Sequence, residues 1–191
     1  MSKKINQSGM TLVELLVAMV MMGIVITGVY NLFRVHNLMA AKQEETTLMQ
    51  QELLSAMVQM AEDLRMCGYK ATSGPANGFD ENETNATSVR CTRDPAPDGS
   101  TQIGYILMPN NTIDWLNASS EWVTAAENIA DLNFVYRNSN GTILDPINTT
   151  NVEDIRFIDI TIVAAASVER SGMNIPNRFM NTRVYCRNMG L

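Results

Sequence analysis

A single carboxylate, Glu14, lies inside an otherwise uncharged apolar stretch from Gly9 to Val29, which reads G-M-T-L-V-E-L-L-V-A-M-V-M-M-G-I-V-I-T-G-V. From Met10 to about Phe33 the stretch is long enough to cross a bilayer, for which about 20 apolar residues suffice, and no proline interrupts it. An ionised side chain at membrane depth costs about 2.5 to 3.5 kcal/mol on insertion scales, so an acid in that layer is expected to have a partner and a task. A cut after Gly9 supplies one. The new amino terminus at Met10 brings a positive charge into the same layer, four residues before Glu14, and makes the segment self-complementary between copies.

The residues before the cut fit it. Met1 to Gly9 form a short leader in which Lys3 and Lys4 supply the positive charge that keeps a flank on the cytoplasmic side. A secretory signal instead places its cleavage site after the apolar run, at small residues of the A-x-A kind. Here that region is Phe33-Arg34-Val35-His36-Asn37-Leu38, which is too bulky and polar.

Gly9, Met10, Thr11, Leu12, Val13, Glu14, Leu15 and Leu16 together resemble the class III signal of type IV pilins and type II secretion pseudopilins. In that superfamily a prepilin peptidase cuts after the glycine and methylates the new terminus. Phenylalanine usually follows the cut, and Met10 departs from that within what members tolerate. The resemblance implies Gly9 and Met10 as the processing positions and Glu14 as the residue of subunit assembly. It also implies a single-pass inner-membrane protein with a periplasmic head before assembly, and a pilus or pseudopilus fibre afterwards. The partners implied are other minor and major pilins or pseudopilins, the prepilin peptidase and an inner-membrane assembly platform. The reading that needs no family is a plain signal anchor with Glu14 near the interface.

The 191 residues support one ordinary domain plus a membrane helix. Fourteen methionines, many in the first third, serve as adaptable apolar filling of a long helix. The net charge of −6 becomes more acidic when Lys3 and Lys4 leave, and an acidic chain is a poor nucleic-acid binder. Arg90 with Arg93, and Arg183 with Arg187, are the thin candidates for a basic patch, and read better as ion pairs or solvated strand faces; no nucleic-acid partner is expected for the head. Export of the head to an oxidising compartment allows one disulfide among Cys67, Cys91 and Cys186, whose pairing spacing does not decide. There is no CxxC, and His36 is the only histidine, so neither a metal site of the Cys/His kind nor another cofactor is expected. His36 is also far in sequence from every head-domain serine and cysteine, and no phosphate-binding glycine loop is present. The chain reads as a non-enzymatic subunit.

Four segments follow from composition and periodicity: a leader over residues 1–9, a membrane or fibre-core helix half over 10–33, an amphipathic helix half over 34–68, and a β-rich head over 69–191. In the second, Met49, Leu53, Met57, Met60, Leu64 and Cys67 recur every three or four residues as one apolar stripe. The helix is expected to run to Cys67, about 87 Å at 1.5 Å per residue, and to stop at Gly68 with Arg65 in its last turn. A coiled-coil stalk fits less well, because residues 34–48 keep no heptad. Lys70 to Ser88 reads as an exposed loop; its Asp80-Glu81-Asn82-Glu83 run offers oxygens for Ca²⁺ without EF-hand spacing. Strands are expected at Ser88–Thr92, Gln102–Met108, Ile129–Arg137, Ile155–Ala164 and Phe179–Arg187, with a turn at Asn138–Gly141. Ile158, Ile160 and Ile162 share one side of their strand and should pack on the helix. The fold expected is α+β, a long N-terminal helix packed against an antiparallel sheet: a pilin fold.

Ala61 to Tyr69 (A-E-D-L-R-M-C-G-Y) resembles the helix-ending segment of PilW-like minor pilins and J-type pseudopilins, as do Phe134-Val135-Tyr136, the strand Ile155 to Val163 and the ending Thr182 to Asn188. This second resemblance implies a low-copy minor pilin that primes or caps a type IV pilus, with a J-type pseudopilin of a type II secretion pseudopilus as the alternative.

Overall fold

Helix α1, Leu12–Arg65, runs without a break for 54 residues. The computed structural model describes residues 10–69, 78–93, 101–145, 151–166 and 174–189. The leader, Gly9 and the first part of the 70–88 loop lie outside the described residues. The chain divides into two compact units, Met1–Glu44 and Glu45–Leu191, with the boundary inside α1.

In the first unit the apolar residues of α1 are exposed on all sides, from Leu12 (81 %) through Val20 to Phe33 (63 %). The helix is long and apolar enough to cross a membrane. Thr27 returns its hydroxyl to the Gly23 carbonyl, 2.8 Å away, so this hydroxyl is satisfied within the helix.

In the second unit α1 buries one stripe: Met49, Leu53, Ala56, Met57, Met60 and Leu64. These side chains form one core cluster with Ile158, Ile160 and Ile162, all fully buried. The strand alternation thus faces the helix side of the core, as its period of two requires. The head holds two antiparallel sheets where the sequence pointed to one. Strands β1 (Ser88–Thr92), β2 (Gln102–Leu107), β3 (Ile113–Leu116) and β4 (Trp122–Ala126) make a four-stranded sheet in that order. Strands β5 (Ile129–Arg137), β6 (Phe157–Ala164) and β7 (Arg178–Tyr185) make the other.

Several boundaries move. The helix ends at Arg65 and not Cys67, because Met66 and Cys67 donate to the carbonyls of Asp63 and Leu64, three residues back, in a tighter last turn. Gly68 follows with φ +100°, the left-handed position foreseen for it. Ile155 and Arg156 stay out of β6 because a single 3-10 turn, Val152–Asp154, precedes them. Strand β7 stops at Tyr185, and the Arg187 amide bonds to the Arg65 carbonyl at the helix end. The turn at Asn138–Gly141 is present, with Gly141 at φ +80° and its N–H on the Asn138 carbonyl.

The described end of the 70–88 loop is exposed at Asn82 and Asn85 to Thr87, as expected, but is anchored elsewhere. Phe79 is 1 % exposed and bridges Cys91, while Thr84 is buried. Gly78 lies so close to Gly68 that a Cβ on it would stand 2.7 Å from the Gly68 Cα. A disulfide joins Cys67 to Cys91 beside this contact and draws the loop onto the sheet.

Candidate assembly site at the helix N-terminus

Glu14 stands in the first turn of α1 and is held by Thr11. The Thr11 N–H donates to Glu14 Oε2 at 2.9 Å, and the Thr11 hydroxyl donates to the same oxygen at 3.0 Å. In return the Glu14 N–H donates to Thr11 Oγ1 at 3.3 Å, and the Leu15 N–H reaches the Thr11 carbonyl at 3.2 Å. This is a capping box: a threonine before the first turn and a glutamate three residues on satisfy each other's amides, which would otherwise lack partners. The carboxylate also sits at the positive end of the helix dipole. A negative charge in an apolar segment therefore has local compensation within its own chain.

Thr11 thus adds an intrachain partner for Glu14 to the one expected in the Met10 amine of another copy. The pattern T-x-x-E was visible at Thr11 and Glu14, and signals a helix start wherever an apolar run follows it. Met10 is exposed (73 %) next to the box. Gly9, the other processing position, lies outside the described residues.

The head's candidate groups are occupied structurally. Cys67 and Cys91 are bonded with Cα atoms 5.5 Å apart, and Cys186 is a buried free thiol pushed up to about 12 by burial. Three of the four arginines weighed as a basic patch face acids: Arg90 pairs with Glu83 at 2.6 Å, Arg93 with Asp63 at 3.6 Å, and Arg183 with Asp159. Asp159 accepts from Arg183 and from Arg137 Nε (2.7 Å), and its carboxyl is held below the usual range, first by the Arg183 hydrogen bond and then by Arg137. Asp63 also accepts the Tyr105 hydroxyl at 2.5 Å; burial, followed by that negative charge, keeps the phenol well above its ordinary range. His36 is exposed on α1. Among the described residues no three His, Cys, Asp or Glu side chains gather as a metal site; Asp80 caps the Asn82 amide and Glu83 is paired.

No curated protein matches the sequence. Residues 4–30 match the family model of the prokaryotic N-terminal methylation motif, and the match takes in Gly9, Met10 and the Thr11–Glu14 box.

Proposed function

We propose that the protein is a minor pilin, a low-copy structural subunit without catalytic activity that primes or caps a type IV pilus. The observation that carries this reading is the continuity of α1: a methylation-motif segment at residues 4–30 leads, through one 54-residue helix, into an α+β head whose core that same helix completes. The likeness of Ala61–Tyr69 and of the β5, β6 and C-terminal segments to PilW-like subunits supports the minor-pilin reading.

In this reading residues 1–9 are removed between Gly9 and Met10, residues 10–33 anchor the precursor in the inner membrane, and residues 34–68 carry the head, 69–191, on the periplasmic side. The Met10 amine of one mature subunit meets the Glu14 carboxylate of a neighbour. Docking then lets each charge offset the other's desolvation. Intact-mass measurement of the fibre-associated protein tests the cleavage: a mature chain starting at Met10, methylated, is expected, and a chain retaining Met1 overturns the reading.

Glu14→Ala tests the assembly role in a strain without the wild-type copy. The variant is expected to insert, be cleaved and remain in the membrane, while its incorporation into fibres is lost. Normal incorporation would remove Glu14 from the docking step. Deletion of the gene sorts the machines: loss of pili fits the minor pilin, whereas loss of secreted enzymes with pili intact assigns a J-type pseudopilin.

A further inference from the structure

We propose that β7 is a docking edge for a second copy of this chain, the two β7 strands pairing antiparallel about a two-fold axis at Thr182. A sheet edge presents unpaired backbone groups, and folded chains cover or shorten such edges. The other outer strands of the head follow that rule. The Phe79 bridge and the Gly68 and Asp80 amides cover β1, and the Ala86 carbonyl and Leu144 amide cover β5. Strand β4 has only five residues, and its pairing with β3 carries a register shift. Strand β7, by contrast, is outermost in its sheet, eight residues long and unbroken in register.

Parity decides which groups it leaves open. The Cys186 N–H donates to the Arg156 carbonyl at 2.9 Å, in step with the β6–β7 register, so the even-numbered residues of β7 face β6. The N–H and C=O groups of Phe179, Asn181, Arg183 and Tyr185 therefore face outward, and they make no hydrogen bond to the described residues.

The strand's own sequence identifies the occupant. Phe179-Met180-Asn181-Thr182-Arg183-Val184-Tyr185 has the same chemical order from either end: aromatic, aliphatic, polar, then Thr182 at the centre. Antiparallel pairing centred there sets Phe179 opposite Tyr185, Met180 opposite Val184, Asn181 opposite Arg183 and Thr182 opposite itself, each a favourable cross-strand pair. It also brings outward residues against outward residues, so the ladder closes and the two sheets become one. An axis at Arg183 would oppose two guanidiniums, and one at Asn181 would set Phe179 against Arg183.

The side chains are placed for this contact. Phe179 is 73 % exposed and Tyr185 51 %, and Tyr185 already packs on Phe157 with ring centres 5.4 Å apart, a row that Phe179 of the second copy extends. Arg183 uses Nε and Nη2 on Asp159, which neutralises it within the sheet and leaves Nη1 to donate to the Asn181 side chain of the second copy. The axis stands normal to the sheet, so it reverses the Met49–Leu64 stretch of α1, which packs on the inner face, from one copy to the other. The contact suits heads that meet from opposite directions. This inference stands on the head alone and does not depend on the fibre reading.

Thr182→Cys in the full chain, in detergent micelles, tests the proposal. Cys67 and Cys91 are bonded and Cys186 is buried, so the introduced thiol is the accessible one. Directly opposed residues of such a pair have Cβ atoms about 4.5 to 5.5 Å apart, and mild oxidation is expected to link two chains there. Thr161→Cys, on β6 and away from the edge, should link at least about tenfold more slowly. In the Thr182→Cys background, Asn181→Pro removes an outward amide that a free edge strand can lack, and should abolish linking while the head's melting temperature moves by no more than a few degrees. Phe179→Lys, which alters a side chain exposed in the single chain, should abolish it too and serves alone if Asn181→Pro unfolds the head. Absence of a linked dimer, equal linking at Thr161→Cys, or undiminished linking with either second change overturns the proposal.

Discussion

The two stretches of α1 use the same kinds of apolar residue in opposite ways. From Leu12 to Phe33 leucine, valine, isoleucine and methionine occupy every face and remain exposed; from Met49 to Leu64 they keep to one stripe, and that stripe is buried. A stripe has its partner within the chain, here the isoleucine face of β6. A helix that is apolar all round must find its surroundings elsewhere, in lipid or in other subunits. One helix therefore contains, in series, a stretch that completes the head's core and an apolar stretch left exposed, and each should fail independently of the other.

The sharpest way to break that comparison is to place a charge in each stretch. Leu53→Asp or Leu64→Asp should cost about 4 kcal/mol or more, through a lost core side chain and an unpaired buried carboxylate, and should abolish cooperative melting of the head. Val20→Asp should leave the head's melting temperature unchanged and reduce membrane insertion. If Val20→Asp lowers the head's stability, or both core variants melt like the wild type, the division is wrong.

The next largest effect concerns the clip at the end of the buried stretch. Cys67 and Cys91 are 24 residues apart in sequence, and closing such a loop is worth about 3 kcal/mol in the chain-entropy model. Urea unfolding of a Cys67→Ala, Cys91→Ala variant should show that loss, and reductant should destabilise the wild type but not the variant.

A smaller effect appears only in acid. Asp159 is held below its unfolded value by Arg183 and Arg137, so the ionised pair contributes stability that is present above about pH 4 and is lost as pH falls through the lowered folded value. Asp159→Asn should lower the melting temperature by a few degrees at neutral pH and flatten its decline below about pH 4. A variant whose acid limb matches the wild type would show that the triad adds nothing measurable.

The smallest effect lies at the exposed end. Thr11→Ala removes the cap hydroxyl and should weaken the first turn by about 1 kcal/mol. Faster amide exchange at Leu12 to Leu15 in micelles, with the head unchanged, is the expected readout. Unaltered exchange there would mean that the Thr11 backbone amide alone holds Glu14.

What the sequence made legible was periodic. The stripe from Met49 to Leu64 and the alternation at Ile158, Ile160 and Ile162 are long enough for their period to stand out, and both faces were foreseen. Strands β3 and β4 were not, because Ile113–Leu116 and Trp122–Ala126 span four and five residues, too few for a period, and β4 turns three exposed residues outward. Their pairing also depends on Gly104, where a Cβ would stand 2.9 Å from Trp122, a contact that only the fold reveals. The choice of Cys91 over Cys186 was equally hidden. The Gly68 amide bonds to the Thr92 carbonyl and sets the helix end beside β1, while the Arg187 amide brings the segment after Cys186 to that same end, so only the folded geometry selects between them. At the candidate site the motif's residues were plain from the start, yet the ring between Thr11 and Glu14 was hidden by its own fame as a signal: residues read as a processing mark were not also read as a helix cap.

That ring bears on traffic in both directions. If the chain is the fibre subunit proposed here, a subunit waiting in the bilayer would keep its carboxylate satisfied by its own threonine and would have no need to associate prematurely. Were such a fibre dismantled, a subunit giving up its neighbour's amine would close the same ring again as it returned to lipid. In that reading extension and retrieval would differ in which group holds Glu14, and at neither end of the journey would the carboxylate be left bare.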